Sequence, residues 1–150
     1  MKYRDVINYF KGIADNHILI NYFQYGDYGK ILGDERQKIS YPCLWVESPE
    51  MKFRGDKDNH WRVWNIAFVI LMESNPNAVT VPDKYEQNID TTEQIVYDIL
   101  SKMMLDYPRM DMTSISIDII YSKNSDHDQG WRVELDLPVK SSFVCVNPIP

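Results

Sequence analysis

The chain is poor in the residues that build special chemistry. Its 150 residues include two cysteines, three histidines and six glycines. Two cysteines, Cys43 and Cys145, are too few for a disulfide framework or a multi-thiolate metal centre. Both sit in apolar, strand-like contexts, where free cysteine behaves as a small buried hydrophobe. Two reduced core thiols are therefore expected, with a disulfide or a reactive thiol as the lesser alternative. None of His17, His60 and His127 has a partner at metal-ligand spacing, apart from the triplet Asp126-His127-Asp128. That triplet falls in a turn, where adjacent residues seldom converge on one ion, so it reads as solvated. No metal and no cofactor is expected.

Positive charge is also short. Sixteen Lys and Arg face 22 Asp and Glu, a formal net charge of -6. A general nucleic-acid binder needs clustered cations to displace counterions, which this balance argues against. An acidic wall around DNA is a different matter, because it would repel phosphate and leave a duplex free to slide. No apolar run approaches the ~20 residues of a membrane-spanning helix. Met1-Lys2-Tyr3-Arg4-Asp5 lacks the apolar run of a signal peptide. Nucleophile-elbow, zinc-protease, phosphate-loop and dinucleotide-binding motifs are all missing, so no catalytic residue is proposed. Repeats at solenoid period and low-complexity tracts are missing too.

What is present suits one packed domain over residues 1–150, with a candidate C-terminal arm at 140–150. A chain this long buries about 68–70% of its unfolded surface. Hydrophobic content of 44% against 25% charged is ordinary for a globular core. Aromatics make up 13%, which leans toward a binding surface, since large rings are enriched at interfaces as well as in interiors.

Val6, Ile7, Phe10, Ile13 and Ala14 fall at helical spacing and predict a helix over 3–14. Residues 18–23 read as extended, Gly26-Asp27 as a turn, and 28–37 as a short helical piece. Tyr41 to Ser48 reads as a strand that Pro42 must begin or border. A polar loop over 49–60 joins it to the strongest strand, 61–73, in a long hairpin. A long loop over 74–90 follows. The second helix then starts at Asp90, an N-cap with Glu93 three residues on. Its apolar stripe is Ile95, Val96, Ile99, Leu100 and Met103, and Tyr107-Pro108 ends it. Segments 114–121 and 131–139 alternate apolar and polar residues, a second hairpin with one buried face.

The predicted class is α+β in the order αββαββ: a mostly antiparallel four-stranded sheet with two helices on one face. Asp56, Asp58, Asp83, Glu86 and Asp90 fall in predicted loops and read as solubilising charge. Lys52, Arg54 and Lys57 are interleaved with acids and make no phosphate-binding patch.

Strand 61–73 stands apart because both of its alternating sets are apolar. Two helices usually cover one face of a four-stranded sheet. The other face is then covered either by residues 18–40 or the C-terminal tail, or by another subunit. The candidate subunit interface is Trp61, Trp64, Ile66, Phe68 and Ile70, with Phe143 and Val144 of the apolar tail. That tail either adds a fifth strand to its own sheet or joins a neighbour's sheet edge.

The helix, the Tyr41-Pro42-Cys43-Leu44-Trp45-Val46-Glu47 strand in its hairpin, the loop 74–90, the second helix and the closing hairpin form a pattern over roughly 3–139. It resembles the tail-terminator, or tail-completion, proteins of tailed bacteriophages and related neck and connector ring proteins. The resemblance implies a structural virion protein and not an enzyme. It implies a homo-oligomeric ring, hexamer or dodecamer, in the neck or tail of the virion, assembled in the host cytoplasm. Portal, connector or tail proteins would flank it, and DNA would pass through the lumen without specific binding. No membrane is implied. Two further readings stay open: a small interaction or adaptor protein, and a small ligand-binding or enzyme domain with a deep pocket of convergent polar groups.

Overall fold

The computed structural model describes residues 1–27, 39–56, 59–73, 82–120 and 128–140, with the side chains of 82–85 left aside. The elements run α1 (Tyr3–Asn16), β1 (Tyr22–Tyr25), β2 (Cys43–Val46), β3 (Glu50–Gly55), β4 (His60–Glu73), α2 (Pro82–Asp106), a 3-10 turn at Met112–Ser114, β5 (Ser116–Ile120) and β6 (Asp128–Lys140). All six strands join one sheet in the order β1-β2-β4-β6-β5, with β3 also paired to β4. β1 runs parallel to β2, while every other pairing is antiparallel.

This corrects the predicted αββαββ order and its four-stranded, mostly antiparallel sheet. The sheet has six strands and is mixed. β1 was not expected to pair in parallel, a pairing decided by docking across the 21-residue separation of partners such as Phe23 and Leu44. β3 occupies what reads as a polar loop. Its six residues are all exposed, so no burial pattern marks it in the sequence. α2 starts at Pro82, eight residues before the predicted cap. Proline is favoured in the first helical turn, where its missing N–H costs no hydrogen bond. Glu86 and Asp90 consequently lie on a helix and not in a loop. The short helical piece expected at 28–37 and the turn around His127 lie outside the described residues.

β4 is the spine, 14 residues and about 45 Å of extended chain. Its even-numbered set, Trp64, Ile66, Phe68 and Ile70, lies under the helices with Val6, Ile7 and Phe10 of α1 and Ile95, Ile99 and Met103 of α2. Val133, Leu135 and Leu137 of β6 and Leu44 and Val46 of β2 complete that core. Its odd-numbered set faces the other way, where Cys43, Trp45, Val69 and Leu71 form a smaller cluster with Tyr22, Ile39, Tyr41 and Ile120. Gly130 of β6 lies opposite Leu71. A Cβ there would collide with the Ile70 carbonyl, so only glycine lets β4 and β6 meet at that point.

The helices run antiparallel to each other. Tyr9 Oη of α1 donates to Asp106 of α2 at 2.9 Å, and His17 Nε2 lies 3.2 Å from Asp98. α2 also runs antiparallel to β4. Near its start, Asn88 Nδ2 donates to the Glu73 carbonyl, and just past its end Arg109 stacks on Trp61.

Candidate functional site

The seven residues expected to form a subunit contact divide sharply. Trp64, Ile66, Phe68 and Ile70 are buried inside the chain, the last three with no exposed area at all. The opposite set of the same strand is buried too: Val63 and Val69 are 0% exposed and Leu71 is 1%. Both apolar faces of β4 are thus satisfied within one copy, which is what a central strand covered on both sides requires. The double-apolar pattern marks a spine and leaves no bare face for a neighbour. Trp61 alone of the five stays part-exposed, at the first turn of the strand. Phe143, Val144 and Cys145 lie outside the described residues.

Exposed apolar side chains occur on several elements, Ile18 and Leu105 most of all, and two of them alternate along β3. Met51 and Phe53 are 46% and 49% exposed and lie on the helix side of the sheet, as their register partners Trp64 and Arg62 do. Lys52 and Arg54 alternate with them on the opposite side. Among the described residues β3 pairs with β4 alone, and an outer strand edge of this kind is the usual template for another chain. All six of its residues are exposed.

A row of polar side chains crosses the sheet next to this arm, on the face opposite the helices. Arg132 donates from Nε and Nη2 to the two carboxylate oxygens of Glu47, at 2.7 and 3.0 Å, and from Nη1 to Glu134 at 2.8 Å. Asn65 Nδ2 reaches Glu134 at 3.3 Å and Asp136 at 3.2 Å. Lys52 and Arg54 then share Asp136, at 2.9 and 3.4 Å. The Arg132 and Asn65 hydrogen bonds hold the Glu134 carboxyl below the usual carboxylate range. Burial pushes the Asp136 carboxyl up, but hydrogen bonds from Lys52 and Asn65 outweigh it and leave the group below its ordinary value. Glu47, led by its hydrogen bonds, raises the already high affinity of Arg132 for its proton. The row is internally satisfied and reads as a brace for the sheet.

Three cations gather around Trp61 at the end of that row. Arg54 and Lys140 lie directly opposite it on the two flanking strands. Arg109 Cζ lies 5.4 Å from the indole centroid. Lys52 and Arg54, which read in sequence as charges cancelled by nearby acids, belong to this end in space. The sequence gives little sign of the cluster because its members come from four separate segments.

A groove of about 620 Å³ runs between α1 and α2, with Tyr9, Gly12 and Ile13 on one wall and Asp98, Lys102 and Asp106 on the other. Its polar groups pair with one another: Lys102 and Tyr9 share Asp106, and His17 and Gln94 share Asp98. Burial and the Asp106 contact raise the Tyr9 phenol well above its usual range, so this tyrosine acts as a donor and not as a base. Among the described residues, no group of three or more His, Cys, Asp or Glu could hold a metal ion. No described helix is long and apolar enough to cross a membrane. Cys43 is fully buried, and burial, then the Asp128 charge, pushes its thiol up to about 12.

No protein-family model matches the sequence, and no curated protein compared with it matches either.

Proposed function

We propose that this chain is a structural subunit of a ring in the neck or tail connector of a tailed bacteriophage, joining head-side and tail-side components around the DNA channel. The observation that carries the reading is the β3 arm, with Met51 and Phe53 half exposed and, among the described residues, no strand paired to its outer edge. Where such an arm meets an unlike surface of the next copy, the contact is head-to-tail. Such head-to-tail contacts give a closed ring when the rotation closes. The net charge of -6, which suits a conduit that does not grip DNA, supports the same reading.

Negative-stain electron microscopy of the concentrated chain, alone and with tail or connector proteins, tests it. Annular particles of uniform copy number are expected. Monomers in both preparations would overturn the reading.

A further inference from the structure

The charges of the described surface are sorted along the long axis of the molecule. At the Trp61 end, Arg109 and Lys140 are exposed and have no carboxylate partner among the described residues, while Lys52 and Arg54 share Asp136. Glu50, Asp56 and Asp111 also belong to this end and offset part of the charge. α2 is 25 residues long, about 37 Å, and its first half lies at the other end of the sheet, by Glu73. Glu86, Asp90 and Glu93 follow at helical spacing down one side, with none of them in an ion pair among the described residues. Asp83 and Lys84 in the same helix cancel in the charge count. One turn on, Tyr97 extends that side and is 55% exposed.

Part of this sorting complements the helix dipole, which favours acids near the start of a helix and cations past its end. That effect acts within the first and last turns. It does not account for Asp90 and Glu93 further along α2, nor for Lys140 and Arg54 on strands.

We infer that the Trp61 end of one copy docks on the acidic half of α2 of a second copy. Arg109 and Lys140 would meet Glu86, Asp90 and Glu93, and the exposed Met51 and Phe53 of the neighbouring strand would pack near Tyr97. Charge complementarity selects this occupant. The chain is acidic overall, so a second copy presents a matching acid stripe, and a like-charged alignment of the two ends is penalised. The two surfaces are different, which makes the contact head-to-tail. This inference rests on the ring reading and names the contact that would build it.

Charge reversal tests it, with mass measured by sedimentation at low and high salt. R109E/K140E and E86K/D90K are each expected to weaken self-association at least about tenfold, while circular dichroism and thermal midpoint stay near wild type. Mixing the two variants should restore extended association in which the two alternate, because the native end of one fits the native stripe of the other and the reversed end fits the reversed stripe. Combining all four reversals in one chain should restore extended association. Assembly of the wild type that is insensitive to salt and to both reversals would overturn this contact while leaving the ring reading intact. A wild type that stays monomeric, alone and with tail or connector proteins, would remove the ring reading itself. Duplex DNA binding that R109E/K140E abolishes, with copy number unchanged, would assign the basic end to nucleic acid and also overturn the inference.

Discussion

Arg132 grips Glu47 with two parallel hydrogen bonds, at 2.7 and 3.0 Å, across 85 residues of sequence. The pair ties β6 to the chain just past β2, two strands away, on the face opposite the helices. Both side chains are part-exposed, at 33% and 26%, so solvent screens part of the attraction. Replacing Arg132 by Met should cost about 1–2 kcal/mol. Thermal denaturation checks this, as each kcal/mol moves the midpoint by about 2–4 °C in a domain of this size. A double-mutant cycle with E47Q that shows no coupling would remove the brace from the account.

Phe53 and Phe68 should respond oppositely to truncation. Phe68 is 0% exposed beneath both helices and touches Phe10, with ring centroids 5.5 Å apart. F68A should destabilise by about 3–5 kcal/mol through the cavity it leaves. Phe53 is 49% exposed, and F53A should change stability by less than about 0.5 kcal/mol. Denaturant titration separates the two. Its loss should show in association instead, which a light-scattering series over concentration would detect.

Acid should loosen the sheet brace. The Glu134 and Asp136 carboxyls are held below their ordinary range in the folded chain. Their contribution is therefore present above the unfolded-state range near 4 and is lost as pH falls through the lower folded values. D136N should flatten the acid limb of a stability-against-pH curve. An unchanged limb would show that Asp136 gains nothing from Lys52 and Asn65.

Cys43 should resist alkylation in the folded chain at pH 8 and react once the chain is unfolded. Its thiol is raised to about 12, against about 8.5 when free. Stability from this group is full below the unfolded value and declines as pH rises toward the folded one, because only the unfolded chain ionises. C43A should reduce that alkaline loss. Mass spectrometry after brief iodoacetamide treatment reads the reactivity directly, and rapid labelling of the native thiol would contradict its burial.

Much of the core was legible. The helical spacing of Val6, Ile7 and Phe10 and the alternation of Val133, Leu135 and Leu137 reflect burial on one face, which sequence period reports. β3 was not legible, because Glu50 to Gly55 buries nothing and so has no apolar alternation. Asp90 and Glu93 imitate a capping box in the middle of a helix, which hid the true start at Pro82. The apolar pattern of β4 was read correctly as needing two covered faces. Pattern alone does not say whether a second chain or the same chain supplies the cover. The Trp61 cluster depends on residues 54, 61, 109 and 140 meeting in space, a relation that only the strand register reveals.

The central claim is that the exposed β3 arm builds an assembly. Sedimentation equilibrium of the wild-type chain beside M51D/F53D measures it most directly, each alone and with tail or connector proteins. The account predicts a discrete multi-copy species for the wild type, and a folded monomer for the variant with unchanged thermal midpoint. A wild type that stays monomeric in both settings, or a variant that assembles as the wild type does, would contradict it.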